Sequence, residues 1–372
     1  MTKYELIAPC LFGVEGILAD ELKRIGAENV RAENGRVLFS GDVSMIATAN
    51  INSRFAERIM LNLGQFKAVT FTELFDGVKA LPLEEYIGKD DAFPVKGWSL
   101  NSQLHSIPDC QSIIKKACVE RLKTVYKTNW FEETGPVHQI QFSIMKDQVT
   151  IMLDTSGHGL HKRGYRANSN AAPIKETLAA AMCDLARIYP DTQIFDPFCG
   201  SGTILIEAAL MAKKQAPGLR QFFAAERFHF IDEKVWREAR QAAMDKILPN
   251  IEFRAVGYDI DPAAVKLTLE NAKKAGVEKY VTAEVRDVKD FKLPEGRTLV
   301  ITNPPYGERL LDIRAAEELY RTMGKVFPKE KGKKYYIISP HDEFEKFYGT
   351  IPDKKRKLYN GMIKCNLNMY FR

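Results

Sequence analysis

The sequence of 372 residues has no apolar run long enough to cross a membrane, and its N-terminus lacks the basic stretch and apolar core of a secretion signal. It also has few metal ligands, with six cysteines, six histidines and no Cys-x-x-Cys spacing. This scarcity argues against a zinc site and a disulfide framework. We therefore expect a soluble, cytoplasmic protein with no metal and no membrane partner. Its cysteines are expected to be free thiols at Cys10, Cys110, Cys118, Cys183, Cys199 and Cys365.

Charge of one sign is only mildly in excess, because 54 lysines and arginines face 48 acidic residues, for a net charge of +6. The basic residues are nevertheless clustered at 161–166, 329–334 and 354–357. Such clusters suit a polyanion such as nucleic acid, although any single cluster is more often a solvated surface. A hydrophobic content of 45% is ordinary for a globular protein, and the length suits two or three domains.

A glycine-rich turn lacks the third glycine of a dinucleotide site. The stretch Asp196–Thr203 reads Asp-Pro-Phe-Cys-Gly-Ser-Gly-Thr and lies between a β-prone run, Gln193–Phe195, and a segment of helical period that begins at Thr203. A nicotinamide site requires the third glycine and Walker A requires Gly-Lys-Ser/Thr, and neither is present. The carboxylate at the strand end and the N–H groups of the helix start still predict a polar cofactor in the crevice of a parallel sheet.

A second motif, about a hundred residues later, predicts the chemistry. Thr298–Thr302 is typical of a buried strand and runs into Asn303-Pro-Pro-Tyr306. Asn303 offers a side-chain carbonyl and Pro304 a main-chain carbonyl, so both can accept from a planar amine. Tyr306 offers a flat ring on which a base can stack.

Together, the two motifs resemble those of class I S-adenosylmethionine-dependent methyltransferases that modify amino nitrogens. The resemblance implies an α/β, Rossmann-like C-terminal domain, with a mostly parallel seven-stranded sheet and an antiparallel last strand. It implies S-adenosylmethionine as cofactor and S-adenosylhomocysteine as product. In this family the first motif faces the methionine half of the cofactor, and the second holds the target nitrogen. The implied cofactor residues are Asp196, Pro197, Phe198, Cys199, Gly200, Ser201, Gly202, Thr203 and Asn303, and the implied catalytic residues are Asn303, Pro304, Pro305 and Tyr306.

Further cofactor residues are expected at the ends of the next two strands. Asp259 ends the second strand, where a carboxylate can accept from both ribose hydroxyls, whereas Asp261 suits the N-cap of a helix over 262–275. The resemblance implies that Asp287, after the third strand, accepts from the adenine amino group. Two more candidates are Ile260, beside Asp259, and Thr177, in a helix expected to start at Pro173.

Two Asn-Gly pairs predict type I′ hairpins, in which both turn positions take positive φ. Asn34-Gly35 lies near the N-terminus, and Asn360-Gly361 lies between expected strands at 357–359 and 363–370. The second hairpin would supply the antiparallel last strand that the resemblance implies.

The front of the chain is expected to bind RNA. Strand, helix, hairpin, helix, strand is the ferredoxin-like order, and the elements that follow resemble a THUMP domain, an RNA-binding module. The sequences at 160–166 and 172–178 resemble the junction in large-subunit rRNA guanine methyltransferases. We expect α+β ferredoxin-like and THUMP domains at 1–66 and 67–155, a linker and first helix at 156–180, and the methyltransferase domain at 181–372. The candidate RNA contacts are Lys115, Lys116, Lys162, Arg163 and Arg166, with interdomain packing as an equal alternative for the last two.

These features predict methyl transfer to an exocyclic amino nitrogen of RNA, with guanine N2 of 23S rRNA as the expected target. A tRNA guanine-N2-methyltransferase and a nucleic-acid adenine-N6-methyltransferase remain alternatives, because the motif defines the acceptor atom and not the polymer. A non-catalytic RNA-binding protein and a nicotinamide oxidoreductase are weaker alternatives. Cys199 lies within the cofactor turn and suits a packing role, so no attacking thiolate is expected. The sequence leaves the modified nucleotide and the oligomeric state open.

Overall fold

The computed structural model describes residues 2–166, 174–306 and 313–371, which form two seven-stranded sheets covered by helices. We call residues 2–154 the front region and residues 174–371 the C-terminal region. The strands of the front region are β1 (Tyr4–Pro9), β2 (Glu28–Glu33), β3 (Arg36–Gly41), β4 (Met60–Lys67), β5 (Val95–Leu100), β6 (Ile140–Met145) and β7 (Gln148–Asp154). Its helices are α1 (Glu15–Arg24), α2 (Val43–Asn52), α3 (Phe71–Lys79) and α4 (Ile107–Tyr126).

Side-chain caps start two helices of the front region where the sequence favours them. The Asp42 carboxylate accepts from the N–H groups of Ser44 and Met45 at the start of α2. Thr70 and Glu73 form a reciprocal capping box at the start of α3. The ferredoxin-like order of elements is confirmed from β1 to β4.

The first sheet continues across the predicted boundary between residues 66 and 67. Its strand order is β2-β3-β1-β4-β7-β6-β5. Strand β4 pairs antiparallel with β7, from Met60 opposite Asp154 to Lys67 opposite Gln148. The ferredoxin-like part and the elements after it therefore share one sheet and one hydrophobic core.

The C-terminal region is a doubly wound sheet with the predicted antiparallel strand. Its strand order is β10-β9-β8-β11-β12-β14-β13, and β14 runs antiparallel to both of its neighbours. The predicted helix start at 172–173 lies outside the described residues. The strands are β8 (Gln193–Asp196), β9 (Arg254–Asp259), β10 (Val281–Val285), β11 (Thr298–Thr302), β12 (Lys333–Ser339), β13 (Lys354–Asn360) and β14 (Ile363–Tyr370). The helices are α5 (Glu176–Ala186), α6 (Thr203–Ala212), α7 (Glu233–Met244), α8 (Pro262–Ala275), α9 (Ile313–Val326) and α10 (Phe344–Tyr348).

The two Asn-Gly hairpins form, but their turns are not type I′. In each pair only the glycine has a positive φ, 72° at Gly35 and 66° at Gly361. In the second hairpin Asn360 pairs with Ile363, so the two-residue loop is Gly361-Met362. Asn360 is therefore the last residue of β13 and not a turn residue.

The N-terminal part of the chain docks on β13, the edge strand of the second sheet. The Arg356 guanidinium donates to the carbonyl oxygen of Gly13 at 2.8 Å. A Cβ at Gly13 would lie 2.3 Å from the carbonyl oxygen of Lys357, and Gly13 has a φ of 89°, so this close approach requires glycine. The rings of Phe12 and Tyr359 meet edge to face at 5.7 Å. Within the described ranges, every helix is too short or too polar to cross a membrane.

Candidate active site

A cavity of about 790 Å³ opens at the carboxyl ends of β8, β9 and β11. This is the edge of a parallel sheet at which ligands of such folds bind. Most of the predicted site residues line the cavity: Asp196, Pro197, Phe198, Cys199, Gly200, Ser201, Thr203, Asp259, Ile260, Asp287, Asn303, Pro304, Pro305 and Tyr306.

Helix α8 holds the glycine turn in place. The Thr268 hydroxyl donates to the carbonyl oxygen of Gly200 at 2.9 Å, and the Asn271 amide donates to that of Ser201 at 2.9 Å. Gly202 has a φ of 77°, and a Cβ there would lie 2.8 Å from the Thr268 methyl group. Gly202 is not among the residues that line the cavity, and its close packing against α8 accounts for the glycine; its contact with the cofactor remains a prediction.

Asp196 is a buried carboxylate at the end of β8. Its Oδ1 accepts from the Thr302 hydroxyl at 2.6 Å and from the Phe198 N–H at 3.1 Å. Burial, together with the nearby Asp259 carboxylate, raises the pKa of Asp196 to about 7 against these two hydrogen bonds. No cation among the described residues pairs with Asp196, so this carboxylate suits a ligand that brings a positive charge.

The next strand ends offer acceptors and an apolar surface. Asp259 accepts from the Gly200 N–H through one oxygen and from the Asp261 N–H through the other, each at 3.0 Å, and lone pairs remain for a ligand. Ile260 lines the cavity although it is 70% exposed, so a planar ring could cover it. Asp261 caps α8 through the Ala263 N–H, as predicted, and also lines the cavity. Asp287 accepts from the Lys289 N–H, which lowers its pKa.

The Asn-Pro-Pro-Tyr segment forms the opposite wall. Oδ1 of Asn303 is buried and has no hydrogen-bond partner in the part of the chain that the structure describes. The ring of Tyr306 is only 8% exposed, and its hydroxyl accepts from the Asn360 side-chain amide at 2.8 Å. Asn360 escapes prediction from the sequence because Asn-Gly is the strongest short turn signal, which hides a strand residue that hydrogen-bonds to Tyr306.

The structure corrects the prediction for Thr177. This residue is buried, and its hydroxyl donates to a carboxylate oxygen of Glu57 at 2.7 Å, so it does not line the cavity. Ile174, three residues earlier, lines the cavity instead. Other lining residues that the sequence analysis did not identify are Ile204, Ala264, Val288, Ala315, Glu318, Leu319 and Thr322. Their helical spacing indicated only amphipathic packing.

The five candidate RNA contacts differ in their exposure and in their partners within the protein. Lys116 and Lys162 are exposed and remain predictions. Lys115 forms an ion pair with Glu133 and lies 3.5 Å from the centroid of the Phe93 ring. The other two are held within the protein, as described next.

Arg163 and Arg166 correspond to the interdomain-packing alternative. The Arg163 side chain is 2% exposed, and its guanidinium donates to the carbonyl oxygens of Leu160 and Arg54. Arg166 donates to the carbonyl oxygen of Ile174 and to the Glu176 carboxylate. The prediction that Arg163 contacts RNA is therefore wrong, because its partners and its burial keep it away from any phosphate.

One group of side chains outside the cavity has the composition of a metal site. Among the described residues, ligand atoms of Asp91, His138 and His229 lie within 4.8 Å of one another. Nδ1 of His138 lies 3.2 Å from the Pro136 carbonyl oxygen and 3.4 Å from the Asp91 carboxylate. A nitrogen between two acceptors carries the ring proton, so hydrogen bonding accounts for this contact. That the protein has no metal remains a prediction.

Known proteins resemble the chain along its whole length. Three family profiles match it: an RlmL ferredoxin-like domain at residues 5–60, a THUMP domain at 68–154, and an RMKL-like methyltransferase domain at 163–369. YpsC of Bacillus subtilis, named provisionally as an RNA methyltransferase, is 42% identical over 100% of this chain and 97% of its own length.

Solved structures give the same result. A methylase of Clostridium difficile is 43% identical with a TM-score of 0.96, and covers 100% of this chain and 98% of its own. SMU.472, a methyltransferase solved with S-adenosylhomocysteine, is 39% identical with a TM-score of 0.95. The match covers 100% of this chain and 98% of SMU.472. These matches and the cavity at the strand ends agree, and the chain belongs to the S-adenosylmethionine-dependent methyltransferases of the RMKL-like family, with ferredoxin-like and THUMP domains ahead of the catalytic domain.

Proposed function

We propose that the protein methylates guanine N2 of 23S rRNA, an exocyclic amino nitrogen. The observation that carries the proposal is the buried Oδ1 of Asn303 in the cavity wall, which has no hydrogen-bond partner among the described residues. A buried acceptor without a partner costs free energy, about 1–3 kcal/mol, unless a ligand donor pairs with it. An exocyclic NH2 is such a donor, and Tyr306 in the same wall can stack on the base that carries it.

The residues of the cavity fit S-adenosylmethionine, which supplies an electrophilic methyl group when it is bound. Asp259 would accept from the ribose hydroxyls, Asp287 from the adenine amino group, and the exposed face of Ile260 would cover the adenine ring. Asp196 would face the methionine half, where its ionised form would balance the positive charge of the ligand. The remaining contacts proposed for the first motif are those of Pro197, Phe198, Cys199, Gly200, Ser201 and Thr203.

Asn303 and Pro304 are proposed to orient the amine and to polarise it. The nitrogen lone pair of guanine N2 is delocalised into the ring, so it is a weak nucleophile. Carbonyl acceptors bonded to the NH2 group stabilise the positive charge that develops on nitrogen during the transfer. Burial raises the pKa of the Cys199 thiol above its usual range, which supports a reaction that uses no thiolate.

The front region is proposed to bind the RNA. Its THUMP domain, the name of YpsC and the exposed Lys116 support an RNA substrate, as does the exposed Lys162, which follows the front region. The division of the chain into domains at residues 66, 155 and 180 remains a proposal. The first sheet is continuous across residue 66, so the first two domains share that sheet. A cytoplasmic location is likewise a prediction.

One alternative has specific support. A Listeria monocytogenes protein that is 43% identical is named as an N6-adenine-specific DNA methylase, which favours adenine N6 as the acceptor. TrmN of Thermus thermophilus, at 16% identity and a TM-score of 0.68, shows only a shared fold and favours no substrate. A non-catalytic RNA-binding role would not explain why the buried Asn303 acceptor has no partner in the described part of the chain.

Mass spectrometry of nucleosides tests the proposal. Purified 23S rRNA and tRNA are compared between cells with the gene, cells without it, and cells complemented with Asn303→Ala. We expect N2-methylguanosine in 23S rRNA to be lost with the gene and not restored by the variant. Loss of N6-methyladenosine, loss confined to tRNA, or restoration by Asn303→Ala would each contradict the proposal.

A further inference from the structure

We propose that Asn360 is a positioning residue for the target base, acting through the ring of Tyr306. This inference rests on the proposed function, because it takes Tyr306 as the ring on which the base stacks. The Asn360 amide donates to the Tyr306 hydroxyl at 2.8 Å, and each residue is only 8% exposed. The two residues are 54 positions apart in the chain.

The hydrogen bond fixes the direction of the ring. Pro304 and Pro305 restrict the backbone before Tyr306, but a tyrosine ring can still turn about its two side-chain torsions. A donor at the far end of the ring fixes the direction of the ring axis, since any other direction leaves the buried hydroxyl and the buried amide without each other. Stacking requires the base to lie against the face of the ring, so the direction of the ring axis determines where in the cavity the base can stack.

The strand that carries Asn360 is itself held from the other side of the molecule. Tyr359 packs against Phe12, and Arg356 donates to the carbonyl oxygen of Gly13. Both contacts join β13 to the N-terminal part of the chain. Asn360 thus connects the acceptor site to the hairpin of β13 and β14, which contacts the front region.

A double-mutant cycle tests the assignment in the full-length enzyme. Asn360→Leu, Tyr306→Phe and the double variant are assayed for kcat and KM with 23S rRNA from the deletion strain, alongside cofactor affinity and Tm. We expect each single variant to lose about tenfold in kcat, and the double variant to lose about as much as one single variant, because both remove the same hydrogen bond. Cofactor affinity should stay unchanged. A wild-type kcat for Asn360→Leu, or losses that multiply in the double variant, would overturn the assignment.

Asn368→Leu is the matched control for a purely structural effect. Asn368 is 1% exposed and lies in the same hairpin, but its amide donates to the carbonyl oxygens of Ile337 and Asn366. We expect this variant to lower Tm while kcat stays near wild type. If Asn360→Leu and Asn368→Leu changed kcat and Tm alike, Asn360 would be structural only.

Asn303→Ala separates failure of this inference from failure of the proposed function. If Asn303→Ala loses turnover while Asn360→Leu does not, the positioning role fails and the amine clamp survives. If Asn303→Ala keeps wild-type turnover, the proposed function fails, and with it the basis for a role of Asn360.

Discussion

Asp196 is a buried carboxylate in the cavity and Glu57 a partly buried one between the two regions, and their pKa values move in opposite directions. Burial raises the pKa of Asp196 to about 7. Burial also acts to raise the pKa of Glu57, but hydrogen bonds from His161 and Thr177 and the charge of Lys175 overcome it and hold that pKa at about 2. One carboxylate lacks cationic partners among the described residues, and the other has several. The difference separates a site built for a ligand from one built for stability.

Glu57 belongs to a seam of paired polar residues between the front region and the C-terminal region. The seam consists of Arg54, Glu57, Arg163, Tyr165, Lys175, Thr177 and Glu207. Within it the Tyr165 hydroxyl donates to Glu207 at 2.9 Å, and Arg54 donates to the carbonyl oxygen of Gln215 at 2.7 Å. The cavity holds the Asp196 carboxylate, which has no cationic partner among the described residues, whereas the seam joins the two regions through paired charges.

The largest effect is expected from breaking the seam at Arg163. Arg163→Met leaves the buried Glu207 carboxylate without its nearby cation, at 3.6 Å in the native protein. Removing one partner of a buried ion pair destabilises a protein by about 3–5 kcal/mol. Urea unfolding should show this loss, and Arg163→Met with Glu207→Gln should recover part of it because the uncompensated charge is gone. Equal stability of wild type and Arg163→Met would mean that the seam contributes nothing.

Asn303→Ala should have the next largest effect, on turnover and not on stability. A preorganised acceptor that acts in the transition state contributes about 2.7–4 kcal/mol, so kcat should fall about 10²–10³-fold. Cofactor affinity should change little. Single-turnover rates with labelled methyl donor measure the loss, and calorimetric titration measures the affinity. A fall in affinity that matches the fall in rate would assign Asn303 to cofactor binding alone.

Glu57→Gln should destabilise the protein by about 2–3 kcal/mol at neutral pH. Because the folded pKa of Glu57 is depressed to about 2, its stabilisation is complete above its ordinary value of 4.5 and is lost as pH falls toward 2. The difference in unfolding free energy between wild type and variant should therefore shrink between pH 5 and pH 3. A difference that does not depend on pH would indicate lost packing and not lost charge.

Asp196→Asn should show the opposite pH dependence. The folded pKa of Asp196 is raised to about 7, so the folded wild-type protein holds a proton that the unfolded chain releases above 3.8. Between pH 5 and pH 6, wild type should lose about 1.4 kcal/mol of stability relative to the variant. Thermal or urea unfolding without cofactor checks the sign. A constant difference across this range would show that Asp196 is ionised in the free enzyme.

Asp259→Ala should weaken S-adenosylmethionine binding by more than about tenfold, since charge-assisted hydrogen bonds to ribose are lost. Asp259 also accepts from the N–H groups of Gly200 and Asp261, so Tm must be measured beside affinity. Asp259→Asn is the control, because it keeps acceptor oxygen without charge. Unchanged affinity in a folded Asp259→Ala protein would move attention to Asp261, which lines the same cavity.

The cavity and the seam also differ in how well they could be predicted from the sequence. The cavity was predictable because its residues come in two short motifs at strand ends, and parallel strands bring such ends together. The seam could not be predicted in this way, because the partners of Glu57 lie more than a hundred residues away and form no local pattern. For the same reason Thr177 was assigned to the ligand. Asn360 was missed because the Asn-Gly signal placed it in the turn, whereas the turn begins one residue later, at Gly361.

The contact between Gly13 and β13 also bears on how the enzyme is made. Gly13 and Arg356 are 343 positions apart, so they can meet only after nearly the whole chain has been synthesised. The same late hairpin completes the second sheet and supplies the amide that orients Tyr306. A nascent chain can thus form its front sheet early but has no finished acceptor site, and the methyl-transferring activity is delayed until translation has passed β13 and β14.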